Sequence, residues 1–331
     1  MKRISFTATV LAMAGCATAQ GMRRDAGPAE AVDDARFALK VAQAVARTAW
    51  PDWQPGSVPF VLVYPQEQWL FRATRLPTGY EPARVPTPLG DAYRARAWTR
   101  PDGVLVPFSP PRFLAQADRH DGHVVFTMAG ASLAPFPRPD WATVFTHEYF
   151  HTFQMTDPRW RDDATALRQR EPLNDLMRAS AELRQGVEAE LDVYREWLSR
   201  LTHGGGFDCA RLAVLSPIRG DRERLLRTAG PGMVAASAAL ERFEGIARYV
   251  EESAYDSAVV LDLFRERVPQ WQAPVAQDAL RRRLAVVNGE FQYATGYALA
   301  RLLDLCRPSW KQELRGRDLY DLAVAAPGSP P

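Results

Sequence analysis

The pentapeptide His147-Glu148-Tyr149-Phe150-His151 constrains this chain more than any other stretch. Its two histidines are four positions apart, and residues at that spacing share a face when the backbone is helical. The flanks agree with a helix. Pro137 and Pro139 precede the motif, Asp140 is a good N-cap residue, and Trp141 to Thr146 lead in without Gly or Pro. On such a helix the two imidazoles can share one Zn²⁺ at about 2.0–2.1 Å each. Glu148, next to the first histidine, can take a proton from a metal-bound water and later pass it to a leaving group.

The chain has 331 residues, enough for one large domain or two modest ones. Hydrophobic residues make up 47% and charged residues 24%, an ordinary globular balance. The formal net charge is +2, and removing Lys2 and Arg3 with a leader leaves neutrality. That argues against electrostatic binding to nucleic acid or to a membrane surface.

Residues 1–19 read as an export signal: a basic start at Lys2 and Arg3, then an apolar run from Ile4 to Ala14. Leu11-Ala12-Met13-Ala14-Gly15-Cys16 resembles a bacterial lipobox, which implies a lipid anchor on Cys16. Ala17-Thr18-Ala19 offers ordinary signal cleavage instead. Either route places the chain in the cell envelope or outside the cell. No later stretch is long and apolar enough to span a bilayer. With Cys16 lipidated, Cys209 and Cys306 remain. An oxidising envelope would let them pair; the alternative is two unpaired, buried thiols.

Residues 20–30 form a polar tether. Residues 31–139 hold an Ala-rich amphipathic helix, Ala31 to Trp50, stopped by Pro51, and then a small mixed sheet. The expected strands are Pro59 to Tyr64, Tyr93 to Thr99, Val104 to Phe108 and Gly122 to Ala129, with ordered loops at Pro77 to Gly90 and Ser109 to Ala115. Residues 140–324 read as almost wholly helical. Leu173 to Leu201 and Met233 to Arg267 are expected as long helices, with shorter ones at Asp221 to Arg227, Ala276 to Val287 and Tyr293 to Cys306. Residues 325–331 are a Pro/Gly/Ser tail expected to be disordered. Arg281 to Arg283 read as a solvated helix face.

Two histidines do not complete a catalytic zinc site, which needs a third protein ligand and an open fourth position. One pattern places the third ligand close by, but the matching positions here hold Gln154 and Asp157, and the helix-breaking glycine is missing. A second possibility is a glutamate on the next long helix: Glu182, Glu188 or Glu190. The third is Glu244, within Glu244-Gly245-Ile246-Ala247-Arg248-Tyr249.

That segment resembles the E-G-x-A-x-Y motif of the gluzincin metallopeptidases, the superfamily of thermolysin and the zinc aminopeptidases. Tyr293-Ala294-Thr295-Gly296 resembles their Y-x-x-G segment. The resemblance covers about residues 120 to 305 in motif order. It implies Glu244 as third ligand and Tyr293 as hydrogen-bond donor to the oxyanion, with Tyr297 as the substitute donor. A glycine beside the ligand glutamate would let two helices approach closely.

Departures from the family are specific. More chain separates His151 from Glu244 than in typical members, so a helical insertion must fold aside. Arg248 stands where thermolysin-like sites place an acid, leaving Glu241 or Glu251 to support the ligands. Phe126 to Ser132 replaces the G-x-M-E-N strand and carries no glutamate, which counts against an aminopeptidase.

The sequence thus predicts an α+β fold: a small N-terminal mixed sheet packed on a mainly helical zinc-binding region, with the active-site cleft between them. His147, His151 and Glu244 would hold Zn²⁺, with Glu148 and Tyr293 as catalytic residues and a peptide or protein as substrate. The strand Val124 to Ala129 would be a sheet edge that pairs with extended peptide. The alternatives are hydrolysis of a non-peptide amide or ester, or a catalytically inactive binding protein.

Overall fold

The computed structural model describes residues 27–76, 78–83, 89–96, 115–120, 123–160, 167–286, 289–315 and 317–325. The leader, most of the tether, the expected strand at Val104 to Phe108 and nearly all of the tail lie outside them. The fold is α+β, as expected, and divides into two compact units. One comprises the described residues up to Phe153 plus Ser253–Gln272, and the other Gln154–Glu252 plus the described residues from Ala273 on. The division differs from a boundary at residue 140.

The first unit begins with helix α1, Pro28–Ala49, which starts inside the segment expected to be tether. Pro28 fits there because proline at the first helical turn sacrifices no hydrogen bond. Its sheet contains β1 Phe60–Val63, β2 Glu67–Phe71, β3 Glu81–Pro82, β4 Ala92–Arg96, β5 Ala115–His120 and β6 His123–Ala129. Among the described residues the strand order is β3-β4-β2-β1-β6-β5. β1 and β6 run parallel and the other pairs are antiparallel, so the sheet is mixed, as the sequence predicts.

This order corrects one expectation. β6 is bonded to β1 on one side and β5 on the other, so Val124 to Ala129 is not an edge available to peptide. The hairpin partner β5 was missed because Ala-Gln-Ala-Asp-Arg-His carries no apolar alternation. β2 was missed too, since Glu67-Gln68 open it with polar residues.

β1 is buried along its length, which suits the unbroken run Phe-Val-Leu-Val. Val61 and Val63 join Leu70, Tyr80, Tyr93, Ala95 and Val125 in one apolar cluster. Phe60 packs instead on helix α2, Arg138–Thr156. Trp141, Phe145 and Tyr149, one helical turn apart each, line the face of α2 that meets Phe60 and Phe126, with ring centroids 5.2–5.9 Å apart. The Trp141 indole donates to the Ala129 carbonyl at 2.9 Å. The Tyr149 hydroxyl donates to the Val58 carbonyl and accepts from the Gly56 amide. These contacts fix the rotation and depth of α2 against the sheet.

The second unit is mainly helical. The helix expected over Leu173 to Leu201 is two: α3, Arg170–Ala179, and α4, Ala181–Thr202. Ser180 makes the break, its hydroxyl accepting from the Leu183 amide at 3.1 Å as an N-cap. α5 covers Leu215–Ala229, longer than expected. The helix expected over Met233 to Arg267 is also interrupted. α6, Met233–Leu240, passes through a π-helical turn, Glu241–Gly245, into α7, Ile246–Glu252. Ser257 then caps a separate helix of the first unit, α8, Ala258–Arg267. α9, Ala276–Arg283, and α10, Gln292–Cys306, follow. Arg281 to Arg283 are not all solvated: Arg283 is buried and donates to Glu252 at 3.0 Å, with Arg282 at 3.2 Å. A disulfide joins Cys209 and Cys306. Among the described residues no helix is long and apolar enough to cross a membrane.

Candidate metal centre

α2 is buried almost all round from Trp141 to His151, unlike an ordinary surface helix. Its Trp141-Phe145-Tyr149 stripe is spent on the sheet. His147 lies two residues beyond Phe145, about 200° around the helix, so the histidine pair stands on another face. The helix begins at Arg138, three residues before the start that an Asp140 cap would give. Asp140 therefore sits in its first turn rather than at the cap, accepting from the Tyr255 hydroxyl at 2.6 Å.

His147 and His151 are both 4% exposed, with Glu148 between them at 3%. The two Nε2 atoms lie 3.2 Å apart. Two imidazoles sharing a tetrahedral ion at about 2.05 Å would hold their nitrogens about 3.3 Å apart, so the pair already stands at ligand spacing. Glu244, 2% exposed, completes the group: one ligand atom from each of the three residues lies within 4.8 Å of the others. Among the described residues this is the one cluster of His, Cys, Asp and Glu side chains that could hold a metal ion. Two neutral nitrogens and a carboxylate fit a divalent ion such as zinc.

Glu244 lies in the π-helical turn. Such turns are rare and often mark functional positions, because one extra residue per turn re-aims the side chains. Close packing fixes the turn. A Cβ on Gly245 would run into the Cα of Gly296 and lie 2.9 Å from the Gln292 carbonyl oxygen. A Cβ on Gly296 would meet the Glu241 backbone. The glycines of the two short motifs thus lie against each other, which is the close approach expected of Gly245. Gln154 also touches the turn, its amide donating to the Phe243 carbonyl at 2.9 Å.

Beneath the turn lies a buried charge cluster. Glu241 accepts from Arg219 at 2.6 Å, Arg222 at 2.9 Å and Thr295 at 2.8 Å. Glu190 accepts from Arg222 at 2.6 Å and Tyr194 at 3.0 Å. Burial works against the Glu241 charge, but the two arginines outweigh it and hold the carboxyl below its usual range.

These contacts sort the other candidate ligands. Glu190 belongs to the arginine cluster, and Glu188 pairs with Arg195 at 3.1 Å. Glu182 is exposed and stands 3.8 Å from Arg224. Asp157 accepts from Arg159 through both oxygens; partial burial raises its pKa, but these bonds lower it further. Of the two residues expected to support the ligands, Glu241 is committed to Arg219, Arg222 and Thr295, and Glu251 pairs with Arg248 at 2.9 Å.

Sequence reasoning missed one residue that bonds to Glu244. Arg170, on α3, donates to the Glu244 carboxylate at 2.9 Å and to the Tyr293 hydroxyl at 2.8 Å. Glu290 holds its other edge in a bidentate pair at 2.7 and 2.8 Å, with Asn174 donating to Glu290 at 3.0 Å. Tyr293 is thus linked to Glu244 through one guanidinium. Tyr297, the substitute donor, is buried in the core under Arg283. Burial acts to strip the Arg170 proton, but Tyr293, Glu244 and Glu290 keep it firmly bound.

Comparisons with protein-family models, with curated proteins and with solved structures each find no match.

Proposed function

We propose that this chain is a zinc-dependent hydrolase of the gluzincin type, most simply a peptidase of the cell envelope. The observation that carries the reading is the convergence of buried His147, His151 and Glu244 side chains beside a buried Glu148. The likeness of the three short motifs to those of the gluzincins supports it. The Cys209–Cys306 disulfide fits an oxidising compartment, and so fits export with a possible lipid anchor at Cys16.

Zinc held by His147, His151 and Glu244 would supply the Lewis acid that makes water nucleophilic at neutral pH. The chain's own residues do the rest. The Glu148 carboxylate takes the proton of the attacking water and returns it to the leaving nitrogen, so the amide departs as a neutral amine. The Tyr293 hydroxyl donates to the substrate carbonyl oxygen as negative charge gathers there. Glu148 also favours catalysis over a purely structural ion, because a structural site closes its fourth position with another ligand and has no use for a neighbouring base.

The test is cleavage of a mixed peptide library by the full mature chain. The wild type should cleave, a chelator should stop it and zinc should restore it. Glu148→Gln should keep its zinc and lose about 10²–10⁴ in rate. Equal cleavage by Glu148→Gln would contradict the assignment of the base.

A further inference from the structure

We propose that Arg170 is a positioning residue that sets the Glu244 ligand and the Tyr293 hydroxyl together, so that one side chain couples metal binding to oxyanion donation. The proposal rests on the metal-centre reading above and deepens it.

The argument starts from donor geometry. A guanidinium is planar, has five N–H donors and accepts nothing. In Arg170 one Nη bonds to Glu244, the other to Tyr293 and Glu290, and Nε to Glu290. The side chain is 15% exposed, and Glu290 is pinned in turn by Asn174. Glu290, which clamps Arg170, is thus itself held in place.

Two consequences follow for the site. The Tyr293 oxygen accepts from Arg170, which fixes the position of the phenol oxygen and leaves its proton to be given elsewhere. The adjacent cation makes the phenol a better donor to a developing oxyanion. Charge is the second consequence. Arg170 alone would neutralise Glu244 and repel a metal cation. Glu290 makes the stronger, bidentate pair with Arg170 and offsets its charge, so the triad Arg170, Glu244 and Glu290 keeps one net negative charge for a cation. A carboxylate has about four lone-pair positions, so Glu244 can face Arg170 and a metal at once. Residues that orient metal ligands in this way typically change affinity by about 10–100-fold when replaced.

The experiment is zinc affinity by competition with a chromogenic chelator, on the full mature chain. The variants are Arg170→Met, Arg170→Lys and Tyr293→Phe, each checked for a cooperative thermal transition without metal. Arg170→Met and Arg170→Lys should each weaken zinc binding by about 10–100-fold, since a lysine keeps the charge but cannot bridge three acceptors. Tyr293→Phe should bind zinc as the wild type does and lose only turnover. Lysine is the milder change, so it decides the matter if Arg170→Met does not fold. Arg170 variants that bind zinc as tightly as wild type, or tighter, would overturn the positioning role and show Arg170 to be a bystander or a competitor for Glu244. A wild type that binds no zinc would overturn the metal centre and the proposal together.

Discussion

Glu241 and Glu244 are three positions apart, yet their surroundings differ. Glu241 is enclosed by Arg219, Arg222 and Thr295, and removing its charge leaves two buried arginines with Glu190 and the half-buried Glu223 as acidic partners. Glu241→Gln should therefore destabilise the protein by about 3–5 kcal/mol at neutral pH. Its carboxyl is held below the ordinary value of 4.5, so its contribution is present above that pH and is lost as pH falls through the folded-state value. Denaturant unfolding across a pH series should show the gap between variant and wild type shrinking on acidification; a gap independent of pH would contradict this. On the proposed mechanism Tyr293→Phe removes the donor to developing charge, and kcat should fall by about 10²–10³ at unchanged zinc content. At this scale the sequence is legible where chemistry compresses into a short motif, as at His147, His151 and Glu244, which the structure brings together. Arg170 and Glu290 were not legible, because their partners are far apart in the chain and a single Arg or Glu reads as solvated surface. Glu190, one of the candidate ligands on the long helix, is fully buried but in the arginine cluster.

The π-helical turn and α10 meet through Gly245 and Gly296, and that crossing fixes where Glu244 stands. Gly245→Ala would drive a methyl group into the facing backbone, which cannot rotate away as a side chain could. It should destabilise by about 1–3 kcal/mol or more and reduce zinc content, because the turn must shift. Gly186, inside α4, has nothing within 4 Å of an added Cβ, so Gly186→Ala should stabilise by about 0.5–1 kcal/mol. Thermal unfolding of the two variants side by side checks the contrast. Equal effects would show that helix propensity, not the crossing, governs Gly245. Element type was readable here and element continuity was not. Ser180 and Ser257 each sit inside an apolar-periodic run, and only the turn of the chain reveals that their hydroxyls cap new helices. The π-helical turn has no sequence period of its own. Sheet order was likewise hidden, because nothing local to Val124–Ala129 announces that the polar β5 will pair beside it.

At the scale of the molecule, the α+β class, the mixed sheet near the N-terminus and the helical remainder follow from coarse patterning, which survives errors at individual boundaries. The disulfide is a global constraint of a different kind. Cys209 and Cys306 are 97 positions apart, and closing so long a loop restricts the unfolded chain by about 2–5 kcal/mol. Reductant should lower the melting temperature of the wild type and leave Cys209→Ser/Cys306→Ser unaffected; a wild type indifferent to reductant would contradict a stabilising bond. The central claim is that two histidines one helical turn apart and a glutamate far along the chain hold one metal ion. Its most direct test is the zinc content of purified wild type, His147→Ala and Glu244→Ala, measured by elemental analysis on folded protein. One equivalent in the wild type, with marked loss in both variants, is the predicted result. Zinc retained in Glu244→Ala at the wild-type level would contradict the ligand set, and no zinc in the wild type would contradict the metal centre itself.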